Sequence, residues 1–196
     1  MKFTLLISSM MLAASAGAFA QSTTAGSVQR DVNQQERIQQ GLQSGQLSTQ
    51  EAGKLEREES KVDHLQAQAL KDGKLSTDEK LRLNAAQNKV SSDIAAAKHN
   101  DVKGNPNSAS SERMQADVQR NINQQKRVEA GVQNGSLTNH EVSKLERGQA
   151  HVDRKEAAAA RDGHVGAAEE RGIQRSENRQ SRKIHRQKTD AQVRKG

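Results

Sequence analysis

Apolar residues recur at helical intervals along this chain, and the stripes they form are narrow. Leu83, Gln87, Val90, Ile94 and Ala97 step by 4, 3, 4 and 3, with a Gln inside the stripe. Leu55, Val62, Leu65 and Ala69 step by 7, 3 and 4, and Val28 with Val32 and Val118 with Ile122 make similar thin faces. This is the spacing of one face of an α-helix. Four short marks separate the stripes: Gly45 to Glu51, Gly73 to Glu79, Gly135 to Glu141 and Gly163 to Glu169. In each, Gly supplies the left-handed position that ends a helix. Leu47, Leu75, Leu137 or Val165 precedes the next helix as an apolar staple. Ser48, Ser76 or Thr138 caps it, and the Glu three residues later closes a capping box. Gly166 holds the cap position of the fourth mark, which predicts a softer start there. The resulting helices are 28–43, 49–71, 77–98, 113–133, 139–161 and 167–190.

A shift of 90 residues aligns the chain with itself. Asn33-Gln34-Gln35 returns as Asn123-Gln124-Gln125, Lys54-Leu55-Glu56-Arg57 as Lys144-Leu145-Glu146-Arg147, and Val62-Asp63 as Val152-Asp153. Between 33–63 and 123–153 there are 15 identities in 31 gapless positions. The join, 99–111, holds the only Pro, Pro106, amid Gly, Asn and Ser, and reads as a flexible linker. The expected fold is therefore all-α, with two tandem three-helix units, 21–98 and 112–196. Each runs up-down-up with coiled-coil character. A homodimer would cover apolar edges left exposed by such thin units.

Residues 1–20 read as a cleavable signal peptide. Lys2 precedes an apolar run that ends in Ala18-Phe19-Ala20, a small-x-small cleavage signal. The expectation is a periplasmic or secreted protein with no transmembrane segment. Beyond Ala20 the chain has no aromatic side chain, no Cys and only 27 Leu, Ile and Val. These facts exclude a disulfide scaffold, a Cys-based zinc site and a Cys nucleophile, and they argue against a deep apolar active site. Catalytic spacings such as HExxH or a phosphate loop are absent, so no enzymatic activity, catalytic residue or cofactor is expected.

Charge changes the picture at the C-terminus. The whole chain is net +7, and residues 171–196 alone carry that excess. Arg171, Arg175, Arg179, Arg182 and Arg186 make one helical stripe, with Ile173 and Ile184 on nearly the opposite face. The stripe is the candidate site for an anionic partner: acidic or partly unfolded protein, or an anionic envelope component. Nucleic acid is not expected, because no aromatic residue is available for base stacking. The turns offer a rival reading as a divalent-cation site. Asp72-Gly73-Lys74-Leu75 to Glu79 matches half of an EF-hand loop, but Gln68 and Leu70 stand where the first oxygen ligands belong, as do Ala158 and Ala160 in the Asp162 turn. No His pair has metal-ligand spacing, and no His is shared between the repeats, so no metal ligand is assigned. A structural spacer without ligand is the third reading.

The Asn-Gln-Gln-rich first helix and the Gly-x-Leu-Ser/Thr-x-x-Glu turns resemble a group of uncharacterised secreted helical-repeat proteins of Gram-negative bacteria. Leu137-Thr138-Asn139-His140-Glu141 and Leu47-Ser48-Thr49-Gln50-Glu51 are more loosely similar to the turns of Spy/CpxP-type periplasmic stress chaperones, with Glu in place of the final Gln. The resemblance implies an all-helical periplasmic binder with a weak chaperone-like or envelope-stress role, and it carries over no functional residue.

Overall fold

The computed structural model describes residues 24–191, so the expected signal peptide lies outside the described residues. The described chain is all-α: α1 (Thr24–Gln43), α2 (Thr49–Ala69), α3 (Thr77–Lys98), α4 (Ala109–Gln133), α5 (Asn139–Ala159) and α6 (Ala167–Thr189), with a 3-10 turn at Ala160–Asp162. None of these helices is long and apolar enough to cross a membrane. α1 and α4 begin four residues earlier than the apolar stripes indicate, and the Ser108 side chain caps α4 by accepting from Ser111 N–H.

The turns follow the chemistry of their residues. Gly45, Gly73, Gly135 and Gly163 hold φ of 71°, 84°, 77° and 84°, a region that other residues enter only with strain. Ser48, Ser76 and Thr138 accept from the N–H of Glu51, Glu79 and Glu141, and each Glu accepts from the cap residue's own N–H in return. At α6 the Gly166 N–H donates to Glu169 Oε2 at 2.8 Å, but no hydroxyl completes the box.

The same contacts are built twice within the two repeats. Arg37 donates to Ser91 on α3, and Arg127 donates to Ser181 on α6. Gln35 donates to Glu56 on α2 at 2.9 Å, and Gln125 to Glu146 on α5 at 3.2 Å. The largest helix contacts, however, run between the repeats: α2 lies on α5, and α1 on α4. Ser60 Oγ donates to Ala150 O at 3.0 Å, and Ser143 Oγ to Ala67 O at 2.5 Å, so α2 and α5 run antiparallel. Small residues permit the approach. A Cβ on Gly53 would lie 2.5 Å from the Ala160 methyl group. The result is a central four-helix layer of α1, α2, α4 and α5. α3 covers the α1/α2 side and α6 the α4/α5 side. One apolar cluster draws on Ile38, Leu55 and Ile94 from the first repeat and on Met114, Ile122 and Ile173 from the second. The connection at 99–111 is packed rather than free of contacts. Gly104 N–H donates to Gly45 O at 2.9 Å, and Asn100 Nδ2 donates to Glu51 Oε1 at 2.6 Å.

Candidate functional site

Two places concentrate charge: a basic groove on the surface and an acidic interior. The groove lies between α5 and α6. Ile173 and Ile184 are fully buried and anchor α6. Gly148 lets α6 come close, because a Cβ there would meet Gln180 Oε1 at 2.1 Å, and Gln180 Nε2 donates to Leu145 O at 2.7 Å. Adjoining hollows of about 530, 400 and 330 Å³ run along this seam. Lys144, Arg147 and Arg154 line them from α5, and Arg179, Arg182, Lys183 and Arg186 from α6. No acid forms an ion pair with any of these seven among the described residues. His151 shares the groove. Partial burial and the neighbouring Lys155, Arg154, Arg179 and Lys183 hold its pKa below the ordinary imidazole value.

The first repeat does not build this groove. Its counterparts of Arg179, Arg182, Lys183 and Arg186 are Lys89, Ser92, Asp93 and Ala96. Glu58 stands where the second repeat has Gly148, and Lys89 bridges Glu58 at 3.5 Å and also pairs with Asp93. Of the five arginines expected from the sequence, the groove takes Arg179, Arg182 and Arg186. Arg171 and Arg175 are exposed on α6 but do not line these hollows.

The interior is built from polar positions of the central helices. Glu56, Glu59, Asp63 and Gln66 step by 3, 4 and 3 along α2, and Glu146, Gln149, Asp153 and Glu156 do the same along α5. All eight are buried, as are Asp31 on α1, Asp117 on α4 and Glu177 on α6. Among the described residues the buried charged side chains are all acids, with no Lys, Arg or His. Two trios stand out. One oxygen from each of Asp31, Asp63 and Glu146 lies within 4.8 Å of the other two, and the same holds for Glu56, Asp153 and Glu156. Asn121 Nδ2 donates to Glu156 Oε2 at 2.8 Å, and Gln87 Nε2 to Asp31 Oδ1 at 2.7 Å. Asp63 and Asp153 hydrogen-bond each other, carboxyl to carboxyl, while no amide, hydroxyl or basic donor reaches Asp31 Oδ2, Glu146 Oε1, Glu56 Oε1 or Glu59 Oε1.

Burial dominates the protonation of these groups, because it penalises the charged form. Burial pushes Asp31 up to about 7 against the hydrogen bond from Gln87 and the charge of Arg30, and pushes Asp153 up to about 7 against hydrogen bonds with Asp63 and then Gln149. Glu56, Glu59, Asp63, Glu146 and Glu156 are raised well above the carboxylate range by burial and then chiefly by the charges of Asp31, Asp153 and Glu56. Burial and Glu170 lift Asp117 to about 7, and burial and Asp117 lift Glu177 to about 8 although Arg120 Nε lies 2.8 Å from it.

The turn glutamates are chemically occupied in a different way. Glu51, Glu79, Glu141 and Glu169 spend an oxygen on the backbone N–H of their own cap. Burial opposes ionisation of Glu51, but bonds from Asn100 and Ser48 outweigh it and lower its pKa. Asp72 and Asp162 accept from the N–H two residues on, so these turns are closed by their own chain. No family model matches the chain, and comparison with curated proteins and with solved structures finds no match either.

Proposed function

We propose that this chain is a non-enzymatic binding protein, exported to the bacterial envelope or beyond it, whose α5/α6 groove holds extended acidic polypeptide. The observation that carries the reading is the groove itself: cations on both walls, in no ion pair with an acid among the described residues, over a floor fixed by Leu145 and Gln180, with Asp190 also lining one hollow. From Lys144 to Arg154 the trough runs ten residues of helix, roughly 15 Å. Guanidinium groups suit carboxylates because they donate two parallel hydrogen bonds. A concave trough between two helices accommodates a linear chain better than a flat membrane. Recognition by charge also fits the rest of the surface. Leu81 and Val102 are the exposed large hydrophobic residues among those described, so a chaperone-like role would act through acidic clients rather than through an apolar cradle. The export half of the proposal rests on the signal-peptide pattern of residues 1–20.

The test is fluorescence anisotropy with a labelled polyglutamate peptide, run beside vesicles rich in phosphatidylglycerol. Binding of the peptide should weaken steeply with added salt. The triple variant Arg179→Glu/Lys183→Glu/Arg186→Glu should lose at least tenfold in affinity, while Arg171→Glu/Arg175→Glu should change it little. Tight peptide binding that ignores both salt and the triple variant would overturn the proposal, as would binding confined to the vesicles.

A further inference from the structure

The basic groove leaves the interior unexplained. Asp31, Glu56, Glu59 and Glu146 each keep a carboxylate oxygen there that no donor reaches, although every one of these side chains is at most 1% exposed. A buried carboxylate ordinarily finds a donor or a cation. We propose that the Asp31/Asp63/Glu146 trio and the Glu56/Asp153/Glu156 trio are two binding sites for hard, oxygen-seeking multivalent cations.

Three observations converge on it. The spacing is right: two oxygens bound to one cation of the Ca²⁺ or Mn²⁺ type are separated by at most about 4–5 Å, twice the metal–oxygen distance, and each trio meets that limit. Orphaned oxygens also belong to both trios. Asp31 Oδ2 and Glu146 Oε1 of the first trio and Glu56 Oε1 of the second have no donor, and Glu59, which belongs to neither trio, keeps a buried Oε1 without one. Burial, and then the charges of Asp31, Glu56 and Asp153, push the Glu59 carboxyl up.

The third observation is the repeat. Glu56 and Asp63 return as Glu146 and Asp153, but each trio pairs the Glu of one repeat with the Asp of the other. The third acid is supplied differently. The first site takes Asp31, whose counterpart is Asn121; the second takes Glu156, whose counterpart is Gln66. Two reciprocal acid-to-amide exchanges leave three carboxylates at each site. A purely structural polar core has no need of that balance. The ligand sets contain oxygen alone, which selects Ca²⁺, Mn²⁺ or a trivalent hard ion over zinc or copper. Because each site draws on both repeats, a bound cation ties α2 to α5.

Manganese is the practical probe, since its paramagnetic resonance signal is strong in free solution and broadens on binding. The purified full chain, freed of metal by chelation, should remove two equivalents of Mn²⁺ from the free signal, and Ca²⁺ or La³⁺ should return it. Asp63→Asn/Glu146→Gln and Glu56→Gln/Asp153→Asn should each retain one equivalent. The thermal melt of the unmodified protein, followed by circular dichroism, should move upward with Mn²⁺. An interior balanced by protons alone predicts no Mn²⁺ uptake and no shift of the melt, and either result overturns the proposal. Uptake undiminished in the variants, with their helical spectra intact, would overturn it by placing the cation elsewhere.

Discussion

Glu146 shows what a single side chain reveals and conceals. Its identity with Glu56, and that of Asp153 with Asp63, is visible in the repeat. Their burial is not. They lie one position past Leu55, Leu145, Val62 and Val152, where an acid beside an apolar stripe reads as the solvated edge of the helix. That edge is covered only because the other repeat docks on it, a contact of long sequence separation that no local pattern encodes. Glu146 is held well above the carboxylate range, chiefly by burial and then by Asp31. In cation-free protein, folding therefore favours the protonated form of Glu146, and its contribution to stability falls as pH rises above the ordinary carboxylate value. Glu146→Gln removes that dependence while keeping the shape. It should raise the melting temperature at pH 7.5, by a stabilisation on the order of 1–3 kcal/mol, and change it little at pH 4.5. Thermal melts at the two pH values check this.

At the scale of elements, the sequence is far more informative, because caps and turns are local. α2, α3, α5 and α6 start where the four Gly-to-Glu marks put them, and Gly166 is the one cap without a hydroxyl at the four turns. Its φ of −77° and ψ of 157° are open to any residue, and a Cβ there would lie 3.3 Å from Glu169 Oε2. Gly166→Ser should therefore stabilise α6 by about 0.5–1 kcal/mol, through the cap and through a less flexible unfolded chain. A higher denaturation midpoint at unchanged denaturant slope would register it. The arginine stripe of α6 is half of the groove and legible for the same local reason. The other half, Lys144, Arg147 and Arg154, belongs to a helix whose partner face is set by packing.

For the whole molecule, duplication has produced one interior shared by two repeats rather than two separate cores, and that interior is acidic. The consequence is a stability profile of unusual sign. Burial raises Asp31, Asp117 and Asp153 from 3.8 to about 7, and Glu177 from 4.5 to about 8. Between the unfolded and folded values the native state binds more protons than the unfolded chain, so stability falls as pH rises. It is fullest below about pH 4 as far as these groups are concerned, and is lost progressively through pH 7 to 8. Native ion pairs of the ordinary kind, such as Arg113 with Glu170 at 3.0 Å, act in the opposite direction but are partly exposed and weak.

The most direct measurement is the melting temperature of the cation-free protein by far-UV circular dichroism, from pH 4.5 to pH 8 at constant ionic strength. An acidic interior predicts a continuous fall across that range. A melting temperature that rises with pH, as for proteins whose carboxylates are paired in the native state, would contradict it.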